Sequence, residues 1–300
     1  IRGVGPGTWN SWKGQLLGEL YDATQERLRL GHSGHGRKQR VAAKKDAVAR
    51  LLGEQEDLVD TIGAQLADAY WIAEPEDIIA GNLRQYDAAR AAGEQLSIQC
   101  EPDETRGATR VSVIAADHPG LFYRMAGGIH LAGANIIDAR IHTTRDGMAL
   151  DNFLVQDPLG RPFDDIHQLQ RIEQAIEDAL ANRAKLIEKL AARPLPRARA
   201  EAFDIAPNIL IDNRASNRFT VIEANARDRP ALLYDLAFAL FEARVTIHSA
   251  HIATYGERAV DTFYVTDLTG DKIISASRTA TLEKLLLDAA AGPRKAAKAA

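Results

Sequence analysis

The sequence has almost no cysteine, since Cys100 is the single one among 300 residues. A lone thiol forms no disulfide within the chain, which is typical of a reducing compartment, and we expect the cytoplasm. No apolar run approaches the roughly 20 residues that cross a bilayer. The net charge of −4 gives no basic surface for nucleic acid or for an anionic membrane. These absences exclude nucleic acid and membranes as expected partners.

Signatures of catalytic sites are also missing. No Gly-Lys-Ser/Thr follows the glycine-rich start, so a phosphate-binding loop is not expected there. The chain has no His-Asp dipeptide and no Gly-Ser followed by Asp-x-Asp, the pattern expected for two-metal nucleotidyl transfer. It opens Ile-Arg-Gly-Val, without Met and without a signal-peptide pattern, so we expect a fragment of a longer protein. We predict no catalytic residue, metal ligand or cofactor in this fragment.

The pattern of apolar residues changes near Gly93. Before it the spacing is helical throughout, and after it strands and helices alternate. Leu96–Cys100 alternates with a period of two, as a strand does. An independent helical hydrolase domain over 1–92 is one alternative, but no metal-ligand pattern supports it. The helices of the first part are predicted over about 12–30, 37–53 and 56–70, and from Pro75 onward.

The strongest signal in the sequence is an internal repeat. Asp117–Tyr123 matches Asp228–Tyr234 at an offset of 111 residues, and the offset becomes 110 after one turn. The identities in register are Asp117/Asp228, Pro119/Pro230, Leu121/Leu232, Tyr123/Tyr234, Ala126/Ala237, Ile136/Ile247, Ala139/Ala250, Ile141/Ile252, Thr143/Thr254, Asp151/Asp261, Phe153/Phe263, Val155/Val265, Asp157/Asp267 and Gly160/Gly270. Such a register predicts two copies of one domain.

Each copy has the pattern strand, helix, hairpin, helix, and one further strand would complete the βαββαβ ferredoxin-like layout. We assign Asn208–Asp212 as the closing strand of the first copy. The second copy either lacks one or takes a strand such as Leu96–Cys100. The predicted class is therefore α+β, an N-terminal all-helical segment followed by two ferredoxin-like domains. The predicted boundaries are 1–93 for the helical segment, 109–192 and 218–293 for the two domains, 193–217 for a linker with the closing strand, and 294–300 for the tail.

The loop after the first buried strand has a recognisable motif. Asp-x-Pro-Gly-Leu at 117–121, followed by Gly-Ala-Asn-Ile at 133–136, resembles the ACT domain. The resemblance covers about 110–290, because the second copy has a related motif. It implies two domains that bind small effectors, most often amino acids. It also implies pairing between ACT units, within a chain or between chains.

Other segments narrow the resemblance. Trp9–Tyr21 and the stretch Asp212–Glu223 resemble the bifunctional uridylyltransferase/uridylyl-removing enzymes of bacterial nitrogen signalling, as does the order helical segment, ACT, ACT. The resemblance implies a parent enzyme that adds UMP to the PII signal protein and removes it, with glutamine as the effector. It places Mg²⁺ or another divalent metal only in catalytic domains that this chain lacks. We expect a glutamine-sensing regulatory region; the alternative is a stand-alone tandem ACT module that acts through a protein partner.

The chemistry of an amino-acid effector indicates where it binds. A helix N-terminus offers unpaired amides to its carboxylate, with Pro119 in the first helical turn and Gly120 allowing close approach. Asp117 or His118 would cap the helix or meet the ammonium, and Asn135 would reach the ligand from a neighbouring domain. The same pattern is also an ordinary strand-to-helix turn. The candidate effector residues are Asp117, His118, Pro119, Gly120, Leu121, Phe122, Asn135, Ile136, Asp228, Arg229, Pro230, Ala231, Leu232, Thr246 and Ile247.

The two copies differ at important positions. Ala231 replaces Gly120, and Thr246 replaces Asn135. The methyl group and the missing amide predict that the Asp117–Phe122 loop binds an effector more tightly than its counterpart. Tyr70 and Trp71 are predicted to anchor the helical segment against a missing domain. Four histidines are predicted to serve packing or the surface: His130, His142, His248 and His251.

Overall fold

In a computed structural model the chain is described over residues 35–183, 186–192, 205–255 and 257–292. The predicted helix over 12–30, residues 193–204 of the predicted linker and the tail lie outside the described residues. The helices are α1 His35–Leu52, α2 Leu58–Thr61, α3 Asp68–Ala73, α4 Glu76–Ala92, α5 Leu121–Leu131, α6 Ile166–Leu180, α7 Leu186–Ala192, α8 Leu232–Glu242 and α9 Ala276–Ala291. The strands are β1 Leu96–Asp103, β2 Ala108–Ala116, β3 Asn135–Arg140, β4 Met148–Gln156, β5 Asn208–Asp212, β6 Thr220–Arg227, β7 Val245–Tyr255 and β8 Arg258–Asp267.

The third predicted helix of the helical segment is broken. The sequence predicts one helix over 56–70, whereas the structure has α2, a 3₁₀ turn at Gly63–Gln65 and then α3. A Cβ on Gly63 would lie 2.8 Å from the indole ring of Trp71, so the chain turns closely around that side chain. Tyr70 and Trp71 are buried in the core of this segment itself, so their predicted role as anchors for another domain is wrong.

Helix α4 begins and ends where local chemistry predicts. Pro75 precedes the first turn in an extended conformation, and Glu76 and Asp77 lie in that turn, at the positive end of the helix dipole. Gly93 ends the helix with a φ of 69°, a left-handed conformation that glycine adopts without strain. The change of pattern near Gly93 therefore coincides with the end of α4.

Each copy of the repeat forms a four-stranded antiparallel sheet, with the strand orders β1-β2-β4-β3 and β5-β6-β8-β7. Helices α5 and α6 pack together in the first unit, and α8 and α9 in the second. Their apolar side chains join those of the sheets in one core. The predicted α+β class, a helical segment followed by two ferredoxin-like units, is confirmed.

The source of each fourth strand differs from the prediction. The assignment of Asn208–Asp212 to the first copy is wrong, because β5 pairs with β6 of the second copy. Likewise β1 pairs with β2 and completes the first copy, not the second. Both units therefore have the order ββαββα, with the edge strand first. Pairing with the next strand along the chain closes a short loop, which costs less entropy than a return from a distant segment.

The two units pack side by side within the chain. Strand β3 lies against β7, and α5 lies against α8. Between these helices the ring of Tyr123 lies 6.0 Å from that of Tyr234, 5.3 Å from Phe238 and 5.0 Å from Phe241. The expected pairing of the two units is therefore an intramolecular one in this structure.

The helical segment covers the face of the first sheet opposite its helices. Ile114 and Leu150 of that sheet join the core of the helical segment. Gln85 Nε2 donates a hydrogen bond to the carbonyl of Ser112 at 3.2 Å. The helices of the N-terminal segment and the first sheet therefore share one core. Among the described residues, no helix has the length and apolar character needed to cross a membrane.

Candidate functional site

Both loops of the repeat contain the same tight turn. The N–H of Leu121 donates to the carbonyl of His118 at 3.1 Å, and the N–H of Leu232 donates to that of Arg229 at 3.2 Å. Gly120 has φ 88° and ψ 1°, the third-position geometry of a type II turn that carries proline second. Pro119 and Pro230 thus lie in the turn, just before the helix, and not in the first helical turn as predicted. They fix the direction in which each helix leaves its strand.

Gly120 and Ala231 occupy equivalent left-handed positions and begin their helices. Ala231 adopts φ 61°, although a Cβ makes this conformation unfavourable by roughly 1–2 kcal/mol. Glycine at position 120 adopts the left-handed conformation without that strain, which explains why glycine is favoured there. The space next to Gly120 is not open, however, because a Cβ there would lie 2.6 Å from Cε1 of Tyr123 and 3.2 Å from Phe241. The argument that Gly120 leaves room for a ligand is therefore wrong.

Two clefts lie between the units, and each pairs the loop of one unit with the strand start of the other. Cleft A, with a volume of about 380 Å³, combines the predicted residues Asp228, Arg229, Pro230, Ala231 and Leu232 with Asn135 and Ile136. Cleft B, with a volume of about 140 Å³, combines Asp117, His118, Pro119, Gly120, Leu121 and Phe122 with Thr246 and Ile247. The structure thus divides the candidate residues between two sites, each with groups from both copies.

The helix N-terminus at each cleft has no side-chain cap. Capping by Asp117 was one expectation, but its Oδ2 accepts a hydrogen bond from the hydroxyl of Thr143 at 2.8 Å. His118 places Nδ1 3.1 Å from the carbonyl of Pro119, beside the turn. The N–H groups of Leu121 and Leu232 are engaged in the turn, so the amides that follow them in α5 and α8 are the ones available to an anionic group at the cleft.

Sequence reasoning did not select a buried aspartate in each cleft. Asp151 lines cleft B and Asp261 lines cleft A, and each is only 1% exposed. One oxygen of Asp261 accepts the backbone N–H of Ala253, and the other has no hydrogen-bond partner. Burial, with a contribution from the charge of Asp228, raises the pKa of Asp261 to about 8. The signal was present in the sequence, because an acid interrupts a buried strand at the same place in both copies.

Arg229 is the main cationic side chain of cleft A. Its Nη2 lies 2.6 Å from a carboxylate oxygen of Asp235 and donates to the carbonyl of Ala289, also at 2.6 Å. Its Nη1 donates to the carbonyl of Pro230 at 3.1 Å, while its buried Nε has no partner. These bonds fix the guanidinium of Arg229 against α8 and α9, next to the turn at Pro230.

Aromatic side chains account for the smaller volume of cleft B. Tyr123 and Phe241 both line it, and their rings lie 5.0 Å apart against the turn at Gly120. The geometry therefore favours cleft A as the roomier site, against the predicted order of affinity for the two loops.

The sequence relatives of this chain point to one family. No protein-family model matches the chain. Proteins named bifunctional uridylyltransferase/uridylyl-removing enzyme are 67% identical over 296 residues in Erythrobacter litoralis, 66% over 290 in Novosphingobium aromaticivorans and 50% over 297 in Zymomonas mobilis. These alignments cover 97–99% of the chain. The chain belongs to the bifunctional uridylyltransferase/uridylyl-removing enzyme family.

The chain spans only about a third of these uridylyltransferase/uridylyl-removing relatives, 32% of each. A solved aspartate kinase from Synechocystis matches 60% of this chain and 26% of its own length, with 16% identity and a TM-score of 0.32. That structural similarity is too low to carry an argument. The family assignment therefore depends on the sequence relatives.

The histidines of this family member fall into different surroundings. His248 Nε2 lies 2.8 Å from the hydroxyl of Thr266, and His142 Nε2 lies 3.1 Å from Oε1 of Glu74. His130 lines cleft A, a position that its predicted packing role did not anticipate. Across the described ranges no three His, Cys, Asp or Glu side chains are grouped as metal ligands.

Proposed function

We propose that this chain is the amino-acid-sensing regulatory region of a uridylyltransferase/uridylyl-removing enzyme, and that cleft A binds glutamine. The observation that carries the proposal is the composition of cleft A, where an uncapped helix N-terminus, three carboxyl groups and two amide side chains line one cavity. Its volume of about 380 Å³ falls within the range of roughly 300–1,000 Å³ that small-molecule sites occupy. Cleft B, at about 140 Å³, falls below that range.

Each part of glutamine has a complementary group in cleft A. The α-carboxylate faces the amides of Leu233 and Tyr234 in the first turn of α8, where the helix dipole favours negative charge. The ammonium faces Asp228 and Asp261. Asn135 is exposed at the cleft and offers a donor and acceptors to the side-chain amide, while Gln156 lines the same wall. The carboxylate of glutamate would meet Asp157 at this wall, which favours glutamine over glutamate.

Regulation follows from the position of the cleft between two units. A ligand that contacts both units stabilises one packing of β3 against β7, and it shifts the equilibrium by its difference in affinity between packings. The first unit shares a core with the helical segment, so this packing reaches the rest of the longer protein. The regulated activities would be addition and removal of UMP on the PII signal protein in the cytoplasm. A divalent metal would serve only the catalytic domains outside this chain.

The relatives bear on the alternative of a stand-alone tandem module. Each of the three relatives is about three times as long as the region that it shares with this chain. A regulatory region within a larger enzyme therefore has the better support.

Calorimetric titration of the chain with glutamine, and with glutamate as the control ligand, tests the proposal. We expect one glutamine per chain and much weaker binding of glutamate. Asn135→Ala should weaken glutamine binding at least about tenfold, the effect of one lost hydrogen bond of about 1.4 kcal/mol. Thr246→Ala changes the equivalent position in cleft B and should leave the affinity unchanged. Absence of glutamine binding, or equal binding of glutamate, would contradict the proposal.

A further inference from the structure

We propose that Asp261 is the group in cleft A that binds the ammonium of an amino-acid effector, and that it releases its own proton when it does so. The inference rests on the proposed function, and it assigns to Asp261 a binding role and a proton that the proposed function does not require. Three observations carry it: the place of Asp261 in the fold, its unsatisfied oxygen and the charges around it.

Asp261 lies at the floor of cleft A, near the middle of β8. It pairs there with Ala224 of β6 and Ile252 of β7, so a carboxyl group occupies a position where apolar side chains surround it. It lines the cleft although it is only 1% exposed. Asp228, on the loop between β6 and α8, lines the same cleft and is exposed. A ligand that enters cleft A therefore meets one exposed and one buried carboxyl group in succession.

The buried carboxyl group lacks a partner for one of its oxygens. The backbone N–H of Ala253 satisfies the other oxygen, and Oδ1 is buried without a hydrogen bond. A buried polar atom left in this state costs free energy, and a ligand that donates a hydrogen bond to it recovers that cost. An ammonium supplies three donors together with the positive charge that a carboxylate needs.

Among the residues that the structure describes, no cation forms an ion pair with Asp261. The charged and titratable groups that line cleft A beside it are Asp228 and Arg229 from the β6–α8 loop, Tyr234 from α8, His130 from α5 and Asp157 from the end of β4. Arg229 is committed to Asp235 and to two carbonyl groups, and the charge of Asp228 disfavours ionisation of Asp261. Burial and the charge of Asp228 raise the pKa of Asp261 to about 8. The carboxyl group is therefore mostly protonated at pH 7 before a ligand binds.

The binding step then balances as an exchange of one proton. The O–H bond of the neutral Asp261 carboxyl group breaks, and the proton passes to the buffer. The carboxylate that remains accepts hydrogen bonds from the ligand ammonium, which keeps its own protons. No oxidation or further reactant is involved.

Calorimetry of the unmodified chain with glutamine, in two buffers of different ionisation enthalpy, measures the released proton. At pH 7 we expect about 0.9 proton per bound glutamine, because a group with a pKa of about 8 is roughly 90% protonated there. The apparent affinity should rise about tenfold between pH 6 and pH 7, rise about fivefold more by pH 8 and level off above it. Glutamine binding with no proton release and no pH dependence would overturn the inference and leave the proposed function standing. Absence of glutamine binding in every buffer would overturn both.

Variants identify the group that loses the proton. Asp261→Asn should bind glutamine at least about tenfold more weakly and without proton release. Asp151→Asn, the matched change in cleft B, should retain both the affinity and the release. Asp228→Asn should weaken binding but still release a proton, whereas loss of the release in that variant would assign the proton to Asp228 and contradict the inference. The des-amino analogue of glutamine should not release a proton from the unmodified chain.

Discussion

Oε1 of Glu74, at the end of α3, lies 3.1 Å from Nε2 of His142, in the segment that follows β3. Its other oxygen lies 3.6 Å from a guanidinium nitrogen of Arg140. Arg140 is 3.4 Å from Asp138, and Asp138 is 3.6 Å from Nδ1 of His251 in the second unit. A continuous line of polar side chains thus joins the helical segment to both units. A change in the packing of the two units would therefore alter the contacts that Glu74 makes.

Glu74→Gln should destabilise the chain by about 3 kcal/mol in urea denaturation near neutral pH, because it breaks a buried ion pair from one side. Burial alone would raise the pKa of Glu74, but the hydrogen bond with His142 and the charge of Arg140 lower it on balance. The stabilisation from its charge is therefore present above the ordinary carboxyl pKa and is lost as the pH falls through the lowered value. The variant should lack this acid-dependent loss. Glu76→Gln, at an exposed pair with Lys44, is the control and should cost less than about 1 kcal/mol.

Ala231→Gly and Gly120→Ala should have opposite effects on thermal stability. The first relieves a left-handed alanine and should stabilise by about 0.5–1 kcal/mol, after the entropy that glycine adds to the unfolded state. The second imposes the same strain and also brings a methyl group against Tyr123, so it should destabilise by more than about 1 kcal/mol. Equal and small effects would contradict the turn geometry described above.

Gly120→Ala also distinguishes the two clefts as binding sites. The turn that it changes belongs to cleft B, so the affinity for glutamine should not change as long as the variant is folded. The sequence alone predicts the opposite, a weaker effector site. If calorimetry shows a loss of affinity while circular dichroism shows that the variant is folded, glutamine binds in cleft B and not in cleft A.

Asp261→Asn should stabilise the folded chain at pH 7 by up to about 4 kcal/mol, at about 1.36 kcal/mol for each of the roughly three pH units between the ordinary pKa and pH 7. An acid whose folded pKa is raised loses stability as the pH rises from its ordinary value, near 4, to the raised value of about 8. The unmodified chain carries this penalty at pH 7 and the variant does not. At pH 4 both forms are neutral, and their unfolding temperatures should converge. A difference that is independent of pH would indicate a packing effect.

Phe241→Ala should enlarge cleft B and raise the number of glutamine sites per chain from one to two. The ring lies 3.2 Å from where a Cβ on Gly120 would be, and it is 37% exposed, so its removal should cost less than the 3–5 kcal/mol typical of a buried phenylalanine. Phe238→Ala removes a neighbouring ring that does not line the cleft, and is the control. An unchanged stoichiometry would mean that more than this side chain closes cleft B.

Much of this architecture follows from local patterns. The repeat of Asp117–Tyr123 in Asp228–Tyr234 predicts two copies of one unit, and the structure has them. Period-two alternation predicted the strand that begins at Leu96, and Gly93 marks the end of the helical segment. These features depend on neighbours along the chain, so the sequence expresses them directly. The same is true of the candidate loop residues, since proline and glycine specify a turn from within four residues.

The pairing of distant segments depended on the tertiary structure. Strands Leu96–Asp103 and Asn208–Asp212 were visible as strands, but their partners depend on which edge of each sheet the short loop reaches. The clefts form only because β3 lies beside β7, which places Asn135 opposite Asp228 and Thr246 opposite Asp117. Asp261 was visible as a repeated acid, whereas its burial and its unsatisfied oxygen depend on side chains far away in the sequence. Local stereochemistry therefore determined the elements and their turns, and long-range packing decided which groups meet in a site.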